Sequence, residues 1–421
     1  MLGRGKLGLG TPYGIERLCG RSRKACSLLP NGVAAELLKR QTKPTELALF
    51  SSVPSPSFPL GLLPEAVLGS NWPVDITPLL SFMYKQGASD LHLSTGAPPI
   101  IRLHGDLKKT NAPPLTGDQV LAMIHGIMND AQKRVYQEQL ELDFSIARDF
   151  ARFRVNAFHQ RLGPAAVFRV IPTKIRSFED LGLPNVVADM AMKDRGLLLV
   201  TGPTGSGKST TLAAIVDYIN SRRSGHIITI EDPIEFIHDN KSCLVNQREV
   251  GGDTHSFAAA LRSALREDPD VILVGEMRDL ETTQLAITAA ETGHLVLGTM
   301  HTSSAAKTCD RVVAIFPAER QEQIRAMFSE SLQGIVAQTL IPTRDGKGRV
   351  AAFEILVGIS AVRNLIREGK VPQLGSVIQT GASYGMVAMD QSLKDLVMRG
   401  KIAQEEAAAR ASNPKLFGDQ S

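Results

Sequence analysis

The stretch GLLLVTGPTGSGKST, residues 196–210, decides the fold. A continuous apolar run that stops at a glycine-rich loop ending in Lys-Ser reads as a buried parallel strand feeding a helix through a phosphate loop of the form G-x-x-x-x-G-K-[ST]. The expected nucleotide contacts are Gly202, Pro203, Thr204, Gly205, Ser206, Gly207, Lys208, Ser209 and Thr210. Glycines let successive backbone N–H groups turn inward around phosphates. The helical segment that follows, TTLAAIVDYINS (210–221), points its positive end at them, and Lys208 adds a fixed charge for the β and γ groups. Ser209 is expected to hold Mg2+, so the expected ligands are ATP and Mg2+. Kinases, GTPases, recombinases and motors all share this grip, which leaves open what it drives.

Working outward, TIEDPIEF (229–236) ends a second apolar run with three acids, Glu231, Asp232 and Glu235. The end of a parallel strand on the phosphate side is the crevice where such sheets bind ligands, so this cluster is expected to supply the carboxylate that activates water. DPDVILVGEMRD (268–279) ends a third run in Gly275-Glu276 where P-loop proteins commonly carry Asp-Glu. Glu276 is therefore expected to reach the hydration shell of the metal. In ETGHLVLGTMHTSSA (291–305), His294 and His301 bracket a fourth run, with Thr299 and Thr302 nearby, and fit a γ-phosphate sensor. Metal binding by the two histidines is not expected, since no third ligand is close in sequence.

The strand candidates GLLLVTG, HIITIED, DVILVGE and HLVLGTMH alternate with helical segments, which gives a doubly wound α/β domain over 197–421. Beyond about residue 320 the pattern turns largely helical, with Ile324, Met327, Phe328, Leu332, Ile335 and Val336 stepping by three and four. Upstream, 74–172 reads as a smaller α+β domain. DITPLLSFMYKQG (75–87) forms one helix, and TGDQVLAMIHGIMNDAQKRVYQEQ (116–139) forms a second, opened by a Thr116/Gln119 capping box. DLHLS, PIIRLHG, ELDFSIA, ARFRVNAF and PAAVFRVIP are short strands. Residues 173–196 connect the two domains. Residues 1–73, with SSVPSPSFPLGLLPEA (51–66), read as a Pro/Ser-rich leader expected to be disordered.

The chain has 421 residues, 43% hydrophobic and 21% charged, which allows a sizeable core and two or three domains. Its formal charge of +4 is uneven: 1–73 carry nine Lys/Arg against four Glu, leaving the remainder near −1. A near-neutral body offers no electrostatic case for nucleic acid or for direct binding to a membrane, so membrane contact is expected only through partners. Four cysteines without a CxxC pair point to unpaired thiols in a reducing compartment. No stretch approaches 18 consecutive apolar residues.

The order of these motifs resembles the secretion ATPase superfamily of type II secretion and type IV pili. Within it KQGASDLHLSTGAPPIIRLHGDL (85–107), CLVNQREVG (243–251), SALREDPDVILVGEMRD (263–279) and AVRNLIREGK (361–370) resemble the pilus retraction ATPases of twitching motility, the PilT family, over about 74–418. The resemblance implies a homo-hexameric ring of chains, each with a PAS-like N-terminal domain followed by a RecA-like P-loop ATPase domain with a helical C-terminal portion. It implies Glu235 as general base, Glu276 as the acid at the Mg2+ site and His294 and His301 as the histidine-box pair. It also implies N-terminal arginines that reach the phosphates on domain closure, best matched by Arg154 and Arg169. A mobile positive charge of this kind stabilises the transferring phosphoryl group and reports its presence to the moving domain.

Nucleotide motifs do not separate retraction from assembly. No four-cysteine zinc insertion is present, and AVRNLIREGK resembles the retraction signature, with Val362 where the family has isoleucine. Its expected face is Val362, Leu365 and Ile366, with Arg363, Arg367 and Glu368 outside. By composition alone this is an ordinary surface helix; the resemblance implies a role in transmission or partner contact. The expectation is a cytoplasmic ATPase ring, peripheral at the inner face of the inner membrane, that retracts the pilus with the inner-membrane platform protein and the pilin machinery as partners. A pilus-assembly or type II secretion ATPase and a non-hydrolysing nucleotide-dependent regulatory module are the alternatives.

Overall fold

Two sheets carry the chain in the computed structural model, which describes residues 75–418 except 104, 172, 173 and 347. The expected leader, with Cys19 and Cys26, lies outside the described residues. All that follows belongs to one compact unit.

The first sheet is antiparallel and contains β1 (Asp90–Ser94), β2 (Ile100–Leu103), β3 (Asp106–Lys109), β4 (Glu141–Arg148), β5 (Ala151–Gln160) and β6 (Gly163–Ile171), in the order β3-β2-β1-β6-β5-β4. Alternation along its strands splits two faces. Leu91, Leu93, Ile101, Phe144, Phe153, Val155 and Phe168 pack under Leu80, Met83, Val120, Ile124 and Tyr136 of the helices. The opposite face is polar, with Arg102, Asp90, Arg169, Arg154 and Ser145 in direct cross-strand register. Thr116 and Gln119 form the expected capping box. The helix they open stops at His125, however, and a second box of Asn129 and Gln132 starts a new helix, Asp130–Gln139. The long helix is thus two, because Asn129 Oδ1 accepts from the Gln132 amide and Gln132 Oε1 accepts from the Asn129 amide at a fresh N-terminus. β3 was not anticipated; its DLKK has no apolar alternation to announce it.

The second sheet contains β7 (Gly196–Thr201), β8 (Gly225–Glu231), β9 (Cys243–Glu249), β10 (Val271–Val274), β11 (Leu295–Met300), β12 (Leu332–Pro342) and β13 (Arg349–Val357), in the order β13-β12-β7-β11-β10-β8-β9. All neighbours are parallel except β12 and β13. Its apolar runs are sorted into two cores by alternation. Leu197, Leu199, Ile228, Ile230, Ile272 and Val274 face one layer of helices. Leu198, Val200, Ile227, Val271 and Leu273 face the other. Each such side chain contributes about 1.5–3 kcal/mol on burial, which explains why these runs are almost wholly apolar, with Thr229 of β8 the exception among the residues between them.

Three expectations need correcting here. The stripe from Ile324 to Val336 is helical only to Ser331; Leu332, Ile335 and Val336 lie on β12. Gly334 shows why: an added Cβ would meet Met190 Sδ at 2.2 Å and Leu356 O at 2.7 Å, so the backbone is pressed against its neighbours as a strand. The connecting segment carries two short helices, Phe178–Leu181 and Asn185–Ala191, whose Phe178, Val187, Met190 and Ala191 join the core of the second sheet. Arg363 does not point outward. It donates to the carbonyls of Gly358 (2.7 Å), Glu330 (2.6 Å) and Leu332 (3.1 Å), locking the amphipathic helix Ser360–Arg367 onto the preceding strand and helix. Cys243 and Cys309 are buried free thiols. No helix among the described residues is long and apolar enough to cross a membrane.

Candidate active site

The carboxyl ends of β7, β11, β10 and β8 lie side by side, and each delivers one element of chemistry. β7 runs into the loop 202–207, and the helix Lys208–Asn220 starts at Gly207 without a side-chain cap, leaving its first amides for a ligand. Gly202 is required. Its φ is +149°, and a Cβ there would meet Gln338 O and Ser206 Oγ, each at 2.4 Å. Gln338, buried on β12, donates its amide to Ser206 O (2.7 Å) and so buttresses the loop from beneath. The buried Ser206 hydroxyl has no protein partner. Free amides, a close-packed glycine cradle, an unpartnered buried hydroxyl and a lysine together fit a polyphosphate.

Lys208 Nζ is 3.0 Å from Gly202 O and 3.1 Å from Pro203 O, inside the loop. Burial lowers its pKa, while Glu276 and Glu235 pull it back up, which puts both carboxylates within its field. His301, directly after β11, bridges to the next strand: Nδ1 is 3.5 Å from Lys208 Nζ and Nε2 is 3.0 Å from Glu276 Oε1. Glu276 also pairs with Arg278. Thr299 donates its hydroxyl to Gly275 O, fixing the turn that presents Glu276. Ser209, beside Lys208, and Glu276 offer a hydroxyl and a carboxylate, the hard oxygen donors that suit Mg2+ shared with phosphate oxygens.

The acid box follows β8. Glu231 is half-buried, and loss of solvent raises its pKa against hydrogen bonds from Thr229 (2.7 Å) and Gln247 (3.2 Å). It accepts from the Glu235 amide (3.4 Å), which ties it to the shape of the loop. The Glu235 carboxylate lies within the fields of Lys208 and Arg154. Burial, reinforced by Asp143, also raises the pKa of Asp232.

Of the expected site residues, Lys208, Ser209, Glu235, Glu276 and His301 come together with the phosphate loop. Arg154, held by Asp143 at 2.6 Å, is close enough to Glu235 and Asp232 to feel both charges. Arg169 is bound to buried Asp90 (2.8 Å) in its own sheet. His294 is at the wrong end of β11 for a γ-phosphate sensor in this subunit. Its carbonyl accepts from Gly196 N, where β7 begins, and its ring Nδ1 lies 3.0 Å from Ala289 O. A strand of six residues puts it about 20 Å from the loop. The two histidines are therefore not one sensor within the chain. Gln338 and Arg278 were not foreseen; the only signal was a lone amide in the apolar run GIVAQTLIP (334–342).

Residues 72–415 match the family described as type II/IV secretion system protein. The chain is 60% identical over 345 residues to the type IV pilus retraction ATPase PilT of Pseudomonas aeruginosa, covering 82% of this chain and all of that protein. It is 58% identical over 316 residues to a twitching motility protein of Neisseria gonorrhoeae, covering 75% and 84% of the two chains. Among solved structures, the pilus retraction motor PilT with bound ADP aligns with a TM-score of 0.76 at 48% identity, over 81% of this chain and 98% of the other.

Proposed function

The chain belongs to the type II/IV secretion system protein family, and we infer that within it this chain is an ATPase that powers type IV pilus retraction in twitching motility. The observation that carries the enzymatic reading is the contiguous line from Lys208 through His301 to Glu276 at the mouth of the phosphate loop, with Glu235 on the neighbouring strand end. Loop amides and Lys208 hold the β- and γ-phosphates of ATP. Glu235 orients the attacking water and takes its proton as the bond from the γ-phosphorus to the bridging oxygen breaks. ADP leaves with its new charge balanced by Lys208. A Mg2+ ion held by Ser209 and Glu276 would neutralise the developing phosphate charge. His301 keeps Glu276 oriented, and Arg154, released from Asp143, supplies the mobile positive charge.

The working unit is a homo-hexameric ring at the cytoplasmic face of the inner membrane. It drives return of pilin subunits through the platform protein, and the exposed Arg367 and Glu368 beside the buried Val362 and Ile366 form a contact for that machinery. The test is genetic and biochemical together. A strain lacking the chain should be piliated but immobile, and the purified chain should release phosphate from ATP. Bald cells would assign it to assembly, and absence of turnover would reject the motor.

A further inference from the structure

Glu249, the last residue of β9, lies on a strand that no periodicity announced, and nothing above uses it. Its carboxylate gathers donors from both sheets. It accepts from Ser145 Oγ of β4 (3.1 and 3.2 Å) and Arg152 Nη2 of β5 (3.1 Å), and from the backbone N–H of Ile234 (3.1 Å), the residue immediately before Glu235. Arg152 Nη2 also donates to Ser145 Oγ (2.6 Å), so the two form one unit. The ion pair is shielded, with Arg152 22% and Glu249 16% exposed, which makes it stronger than a surface bridge. Glu249 is itself firmly mounted. Its amide donates to Asp253 (2.9 Å) and its carbonyl accepts from the amides of Gly252, Asp253 and Thr254.

Three pins fix the peptide that bears Glu235. Glu231 takes the Glu235 amide, Gln247 donates to Phe236 O (2.8 Å), and Glu249 takes the Ile234 amide. The first two belong wholly to the second sheet. The third is shared with the first sheet. We propose that Glu249 is a positioning residue through which the seating of Arg152 and Ser145 sets the placement of Glu235, so that lifting the N-terminal sheet slackens the acid box. This rests on Glu235 acting as the base of the ATPase reaction. An unseated sheet would leave Glu249 as a lone carboxylate free to rotate from Ile234, and a base displaced by about 1 Å loses on the order of a hundredfold in rate.

The experiment uses the full chain carrying Arg152→Ala, which touches neither Glu235 nor the phosphate loop, together with Glu249→Ala, Arg152→Lys and the double variant. Arg152→Ala should lower kcat about tenfold with KM for ATP within about twofold, because binding groups are untouched. Hydrogen exchange of the Ile234 amide should quicken in the same variant. Arg152→Lys should recover part of both, and the double variant should be no worse than Glu249→Ala alone, as expected for one coupled unit. Unchanged exchange at Ile234, an unchanged kcat, or multiplying effects in the double variant would overturn the proposal. Should the unmodified chain show no phosphate release, the ATPase reading fails by itself, while the exchange measurement still decides the linkage.

Discussion

At the scale of single residues, neighbouring groups set what each site side chain can do. Lys208 is held in its own loop by carbonyls and by the fields of Glu276 and Glu235, so it is placed before any phosphate arrives. Lys208→Ala should reduce phosphate release by at least about a hundredfold, measured with a coupled phosphate assay, and should weaken retention of a fluorescent ADP analogue. Glu235→Gln should split the two effects, with kcat down on the order of a hundredfold and analogue binding retained. Loss of both together would place Glu235 in binding instead. His238 supplies a prediction about stability. It is buried just beyond the acid box, its Nδ1 is unpartnered, and burial pushes its pKa down to about 4 from 6.5 against a smaller upward pull from Asp217. Below pH 6.5 the unfolded chain takes up a proton that the folded chain refuses until about pH 4, so this stability is complete above 6.5 and is lost on acidification. Between pH 6.5 and 5 the loss should be about 2 kcal/mol, read from urea midpoints, and His238→Phe should flatten that slope.

At the scale of elements, the amphipathic helix Ser360–Arg367 separates structure from contact. Arg363 fills three carbonyl acceptors, Glu330 O at the end of the helix Gln321–Ser331, Leu332 O at the start of β12 and Gly358 O just after β13. Arg363→Ala should cost about 1.5–3 kcal/mol, since charge-assisted bonds to partly buried carbonyls are lost. Arg367 makes a surface ion pair with Glu330, and its replacement should cost no more than about 1 kcal/mol. A retraction defect from Arg367→Ala with normal phosphate release would support the contact role. A defect confined to thermal stability would remove it. These elements also show where sequence reading stops. The parallel strands were legible because both faces are buried, which forces unbroken apolar runs such as Leu197 to Val200. β9 was not, because CLVNQRE is an edge strand whose polar residues, Gln247 and Glu249, are committed to distant backbone groups. The stripe from Ile324 to Val336 misled because helical steps of three and four continue by chance onto β12, where Gly334 and the parallel pairing with β7 decide.

At the scale of the whole molecule, the polar face of the first sheet carries Arg152, Arg154 and Arg169, and a carboxylate holds each of them: Glu249, Asp143 and Asp90. Arg152 already engages the second sheet, and Arg154 lies in the field of the acid box. A motor of this design should turn over only when assembled. In analytical ultracentrifugation with nucleotide the chain should sediment as a hexamer, and activity per chain should fall on dilution below the assembly concentration. A monomer with undiminished turnover would contradict the ring.

The sequence by itself determined the apolar parallel strands β7, β8, β10 and β11, the phosphate loop from Gly202 to Thr210, and the placing of Glu276 and the acid box at neighbouring strand ends. Local pattern suffices there, since a strand end, a glycine turn and a helix start are contiguous in the chain. Only the tertiary structure showed that Glu231 accepts from the Glu235 amide while Glu235 and Glu276 lie in the field of Lys208. It seated His301, and not His294, beside Lys208 and Glu276, and it turned Arg363 inward. It also joined Glu249 to Arg152 across 97 residues. Side-chain direction at a strand end is set by the packing of neighbouring strands, and that packing is made by residues far away in the chain.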